Sequence, residues 1–129
     1  MKPAIKQERS GWRDEAISRK HREWGWDCPA VDIDFLLLEY DRAIPVALIE
    51  YKHENAPVAH SVHPSYRALS ILATRANIPF FSVRYASDFS WWLITALNEL
   101  AKRILPDRVT LDESQYVQFL YQLRDRIVD

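Results

Sequence analysis

A chain of 129 residues with 48% hydrophobic content and a net charge of −1 suits one compact domain spanning residues 1–129, and leaves no room for a second. Its two glycines and single cysteine exclude a Gly-rich phosphate loop, a dinucleotide fingerprint and an internal disulfide. There is no run of about 18 apolar residues and no basic-then-apolar N-terminus, so neither a membrane span nor a secretory signal is expected and a cytoplasmic protein is the default.

Charge is unevenly spread. Residues 1–22 hold seven Lys or Arg against three Asp or Glu, leaving ten against fifteen in the remainder. Residues 1–9 read as a leader. From Ser10, a possible N-cap, to about Glu23, strong helix formers with Trp12, Ala16 and Ile17 as a thin apolar stripe predict a first helix. Arg13, Arg19 and Arg22 on it are candidate nucleic-acid contacts, because a basic arm supplies phosphate contacts that the acidic remainder does not. A solvated polar face is the ordinary alternative. Trp24-Gly25-Trp26-Asp27-Cys28-Pro29 breaks the helix, with room for a short first strand, and its tryptophans read as core lids.

Two runs rich in β-branched and aromatic residues follow, Val31–Tyr40 and Pro45–Lys52, around the polar turn Asp41-Arg42-Ala43-Ile44. They predict an antiparallel hairpin. Side chains alternate, so Asp32, Asp34, Leu36 and Leu38 share one face of the first strand, and Val46, Leu48, Glu50 and Lys52 one face of the second. Antiparallel partners keep a constant index sum. Setting Asp34 opposite Glu50 gives 84, which centres the turn on residue 42, where the turn residues already stand, and sets Asp32 opposite Lys52. Clustered carboxylates at one end of a buried hairpin repel one another, and a divalent cation is the usual relief.

Asp34, followed by the triplet Glu50-Tyr51-Lys52 on the next strand, resembles the active-site signature of the PD-(D/E)XK nuclease superfamily, which includes restriction enzymes and Holliday-junction resolvases. The Pro of the signature is matched only loosely, by Pro29 three residues before Asp32. A solvated hairpin tip with Glu50 and Lys52 paired across the surface is the ordinary alternative, contributing at most about 1 kcal/mol.

Beyond Lys52, His53 to His63 reads as a mobile loop, and His60-x-x-His63 with Cys28 lacks the second spaced pair that a zinc site needs. Pro64 begins a helix to about Asn77 with Leu69, Leu72, Ala73 and Ala76 as its apolar face. Ile78 to Tyr85 is a further strand, placed parallel to the Glu50 strand by a right-handed crossover. Phe89–Ala96, with Trp91 and Trp92, reads as another strand, and Asn98–Ile104 as a short helix ended before Pro106. Asp112 and Gln115 form a capping box ahead of Tyr116, Phe119, Leu120, Leu123 and Ile127 at helical spacing. That last stripe is expected on its own sheet, with a dimer partner as the alternative.

Taken over residues from about 10 to 86, the resemblance implies an α/β, restriction-endonuclease-like three-layer core. Its mixed central sheet would be flanked by helices in the order helix-strand-strand-strand-helix-strand, plus a C-terminal strand and helices. It implies a metal-dependent endonuclease hydrolysing phosphodiester bonds, most readily in DNA, with Asp34, Glu50 and Lys52 catalytic. Mg²⁺ or Mn²⁺ would be held by Asp34, Glu50 and the Tyr51 carbonyl. Asp32 is a second ligand or a partner for Lys52, and Glu15 is the best-placed helical acid, with Glu23 and Glu8 behind it. The other readings are a catalytically inactive nucleic-acid-binding or protein-interaction module on the same fold, with a homodimer as a further possibility.

Overall fold

Val46 to Glu50 is an unbroken buried run, and a five-stranded mixed sheet is built around it. The structure is a computed structural model and describes residues 15–24, 30–57 and 63–126. Contacts divide the chain into two units, one up to Asp32 and one from Ile33 onward.

In the first unit α1 spans Glu15–Trp24. Lys20 and Glu23 pair one turn apart at 3.2 Å, and the His21 ring meets Trp24 edge-on. The indole of Trp24 is exposed, which corrects its reading as a core lid. The predicted helix start at Ser10 and the short first strand before Ala30 lie outside the described residues.

In the second unit the elements are β1 (Phe35–Glu39), β2 (Ile44–His53), α2 (Pro64–Arg75), β3 (Phe80–Tyr85), β4 (Trp92–Ala96), α3 (Glu99–Ile104), β5 (Val109–Leu111) and α4 (Glu113–Asp125). The strands lie in sequence order across the sheet, and only β2 and β3 run parallel. The α2 crossover between those two strands supplies that parallel pair. This is the mixed sheet with helices expected of the chain. Among the described residues, however, two strands rather than three precede α2.

Phe35↔Ile49, Leu36↔Leu48 and Leu37↔Ala47 all keep the index sum of 84, and a bulge between Leu37 and Leu38 lowers it to 83 at Leu38↔Pro45 and Glu39↔Ile44. The turn therefore occupies residues 40–43, one earlier than expected, with Ala43 at φ 55°. The Glu39 carboxylate accepts the Arg42 N–H at 2.9 Å, which closes it. Val31–Asp34, read as strand, carries no regular structure.

Both sheet faces are covered. On one, Ala47, Ile49, Phe81, Val83 and Ile94 pack under Tyr116, Phe119 and Leu123 of α4, so the final stripe does bury on its own sheet. On the other, Leu48 and Phe80 lie under Tyr66, Leu69 and Ala73 of α2. Leu72 and Ala76, assigned to that helix face, are exposed. Tyr66 recentres the stripe, and at 100° per residue Leu72 lies about 90° round from its middle.

Local chemistry sets the helix starts. His63 caps α2, its Nδ1 accepting the Ser65 N–H at 3.2 Å, with Pro64 in the first turn. Asp112 and Gln115 form the reciprocal capping box of α4. Asn98, 4% exposed, is a knot. Its Oδ1 accepts the N–H groups of Ala101 and Phe80 at 3.0 Å, and its Nδ2 donates to the Ile78 carbonyl at 3.0 Å and Thr74 Oγ1 at 3.3 Å. One amide thus ties α3, β3 and the end of α2 together, with no buried polar atom left over.

β4 begins three residues later than expected. Phe89 has φ 62°, inside a turn closed by Phe89 N–H to the Ala86 carbonyl at 2.8 Å. β5, three residues long, completes the far edge and was not expected.

Candidate functional site

Glu50 inherits its burial from the strand that carries it. β2 is flanked by β1 and β3 and covered on both faces, so a carboxylate at its fifth successive buried position is only 9% exposed. Such burial disfavours the charged form. Burial, and after it the neighbouring charge of Asp34, push the Glu50 carboxyl above its ordinary value, with the Lys52 ammonium partly opposing them. The two carboxylates therefore stand close enough to act on each other.

Asp34 reaches that position from the residue before β1. The backbone ladder stops at Phe35↔Ile49, and the Asp34 side chain makes the next rung, its Oδ2 accepting the Tyr51 N–H at 3.1 Å. In a strand the N–H and C=O of one residue point to the same neighbour, so the Tyr51 carbonyl also faces the open end of β1. Continuing the observed register places Asp34 opposite Glu50, on the face of Leu36, Leu48 and α2.

Tyr51 itself points the other way. Its hydroxyl shares a hydrogen bond of 2.5 Å with that of Tyr116, and its ring meets Phe35, Tyr85, Trp92 and Tyr116 edge-on. The middle residue of the triplet thus clamps β2 to α4 while its neighbours face the opposite side. Burial pushes both phenols above the usual tyrosine value.

Lys52 is half-buried and forms no ion pair among the described residues. In parallel register it lies beside Arg84 of β3, as Glu50 lies beside Ser82. Arg84 Nη1 donates to the carbonyls of His53, Glu54 and Ala56 at 3.1, 3.2 and 2.8 Å, pinning the segment that follows the triplet. Glu54 is held as well, accepting from Ser87 N–H at 3.1 Å and Oγ at 2.6 Å. That segment is anchored at its start, whereas a mobile loop was expected from His53. Arg84 escaped the sequence reading, although its even spacing from Phe80 and Ser82 marks it as sharing their face.

The structure brings Asp34, Glu50 and Lys52 to one end of adjacent strands, with the Tyr51 backbone between them. Asp32 is exposed, and because the ladder ends at Phe35 it has no strand position opposite Lys52. Glu15 opens α1 and Glu23 pairs with Lys20. Arg19 and Arg22 are exposed on α1, and Arg13, Glu8, Cys28 and His60 lie outside the described residues.

Among the described residues no three His, Cys, Asp or Glu side chains gather into one group. Two carboxylates do, and that donor set suits Mg²⁺ or Mn²⁺. Magnesium is commonly held by one or two carboxylates, with waters and substrate oxygens completing the octahedron. A cavity of about 320 Å³ lined by Tyr66, Arg67, Ser70, Ile71 and Leu97 shares no residue with this site. No described helix is long and apolar enough to cross a membrane. Comparisons with family models, with curated proteins and with solved structures found no match.

Proposed function

We propose that the second unit is a metal-dependent nuclease of the PD-(D/E)XK type, on a restriction-endonuclease-like core, hydrolysing phosphodiester bonds in DNA. The observation that carries this reading is the pair of carboxylates at the end of the β1–β2 hairpin. Asp34 is fixed on the Tyr51 N–H, and the Glu50 carboxyl is pushed up by burial and then by the charge of Asp34. Lys52 stands two positions beyond Glu50 on the same face of β2, without an ion-pair partner among the described residues.

Asp34 and Glu50, with the Tyr51 carbonyl, would hold the cation. When bound, it would act as a Lewis acid on a phosphoryl oxygen and lower the pKa of the attacking water. The chain's own contribution is positional and electrostatic. Asp34 cannot swing away without giving up the last rung of the hairpin. Glu50 is held in a low-dielectric wall where its charge acts strongly. The Lys52 ammonium is available to hydrogen-bond the attacking water and to offset charge on the phosphoryl oxygens as they become more negative.

Purified protein incubated with supercoiled plasmid, branched DNA and RNA, each with Mg²⁺, Mn²⁺ or EDTA, tests the proposal. Metal-dependent cleavage of DNA that EDTA abolishes is the expected result. No cleavage of any of the three under any metal would refute it.

A further inference from the structure

Along the α2-facing side of β2 and β3 the paired side chains change character step by step. Leu48 sits beside Phe80, then Glu50 beside Ser82, then Lys52 beside Arg84. The last step puts two cations on neighbouring strands, about 4.8 Å apart in the sheet. Neither has a carboxylate within 4.0 Å among the described residues. Glu54, two residues beyond Lys52, is engaged by Ser87.

Arg84 is also held in an unusual way. All its hydrogen bonds among the described residues leave from Nη1, toward three carbonyls. Nε and Nη2 make none among the described residues, and neither is a fully buried nitrogen without a partner. The guanidinium is thus held at one nitrogen and keeps the Nε and Nη2 edge of its fork uncommitted among the described residues, beside an ammonium that acts on the Glu50 charge but forms no ion pair among those residues. Such a fork matches phosphate oxygens.

We propose that Lys52 and Arg84 form a binding site for two neighbouring backbone phosphates of the nucleic acid, one step along the strand pair from the Asp34–Glu50 carboxylates. Lys52 serves the phosphate that is cut, and Arg84 grips a neighbouring phosphate and holds the strand in register over the carboxylates. This rests on the nuclease reading of the site and adds a positioning residue that the signature does not contain.

The test is binding rather than cleavage. A labelled DNA duplex is titrated without metal onto the full chain and its Arg84→Met, Arg84→Gln and Arg84→Lys variants, at 50 and 200 mM salt. Gln keeps an amide donor for the loop carbonyls, so it remains a neutral probe if Met disturbs folding. Each phosphate contact contributes a slope of about 0.9 in log affinity against log salt, so wild type should lose about threefold more affinity over that range than Met or Gln. Lys should keep the wild-type slope. A loosened loop alone would weaken binding without changing the slope, and an unchanged slope in both neutral variants overturns the assignment. So does a wild-type chain that binds no duplex. Millimolar inorganic phosphate at constant ionic strength should displace the duplex more readily from wild type than from Met or Gln, because the free anion and the backbone phosphate would compete for Arg84; a site that binds inorganic phosphate through Arg84 without weakening duplex binding would overturn the backbone assignment. Binding with the predicted slopes but no cleavage under any metal would instead refute the hydrolytic reading and leave this one standing.

Discussion

Glu50→Gln separates a carboxylate held for a ligand from one held for the fold. Glu50 is 9% exposed, has Asp34 as a like-charged neighbour and makes no ion pair with Lys52 within 4.0 Å. Because its native pKa is raised, the folded chain holds that proton more tightly than the unfolded chain. The resulting stabilisation is complete below the unfolded value, about 4.3, and is lost as pH rises through the native value. At pH 7 the charged carboxylate is therefore a liability without metal, and the neutral, nearly isosteric Gln variant should be at least as stable as wild type. Its advantage should vanish below about pH 4. Metal reverses the order. At 100 times its Kd, Mg²⁺ should stabilise wild type by about 2.7 kcal/mol. The second unit has 97 residues, 33 to 129. For that size the gain corresponds to a rise in Tm of about 10–20 °C, and the Gln variant should show none. Thermal melts of both proteins at pH 4 and 7, with Mg²⁺ or EDTA, measure all of this. A Gln variant destabilised by about 3–5 kcal/mol at pH 7 in EDTA would mean that Glu50 is half of a structural ion pair. Equal stabilisation by Mg²⁺ would mean that the carboxylates do not hold it.

Lys52→Ala should keep the Mg²⁺-dependent rise in Tm and lose about 100- to 1,000-fold in cleavage rate, as removal of other electrostatic stabilisers does. Single-turnover kinetics beside the melts would decide this, and wild-type rates would exclude Lys52 from the chemistry. Tyr116→Phe deprives the Tyr51 hydroxyl of its partner and should cost about 1 kcal/mol in urea unfolding. In the wild type, absorbance titration should find these two phenols un-ionised at pH 10, where exposed tyrosines titrate, because burial raises both. Asn98→Leu leaves the Phe80 and Ala101 N–H groups without their acceptor and should destabilise by at least about 2 kcal/mol, whereas a loss below about 0.5 kcal/mol would contradict the knot.

Local chemistry was legible in the sequence, and so was part of the long-range pairing. Pro64, Asn98 and the Asp112–Gln115 pair announce their helices because capping acts within a few residues. Setting Asp34 opposite Glu50 gives an index sum of 84 that agrees with the position of the turn residues, and the first three rungs of the hairpin keep that sum. Strand ends were less legible. Val31–Asp34 has the alternation of a strand, but a ladder extends only where a partner offers hydrogen bonds. Phe89-Ser90-Trp91 has strand-like composition, yet Glu54, 33 residues earlier, holds Ser87 at the head of the turn that displaces it. Arg84 could not be placed beside Lys52 until the parallel register of β2 and β3 was known, since no local signal specifies it.

β1 reads Phe-Leu-Leu-Leu-Glu, and so uniform an apolar run has little power to choose its own alignment. Sliding it by one residue would exchange one leucine for another at its central positions, and sliding it by two would keep every side chain on its side of the sheet. Polar contacts at the two ends discriminate between these alternatives. At one end Glu39 closes the turn on Arg42, and at the other Asp34 reaches the Tyr51 amide. A slipped hairpin would lose one or both. The carboxylate proposed to bind metal therefore also acts as a check on assembly, selecting the single alignment of a nearly featureless strand in which Asp34 and Glu50 can meet at all.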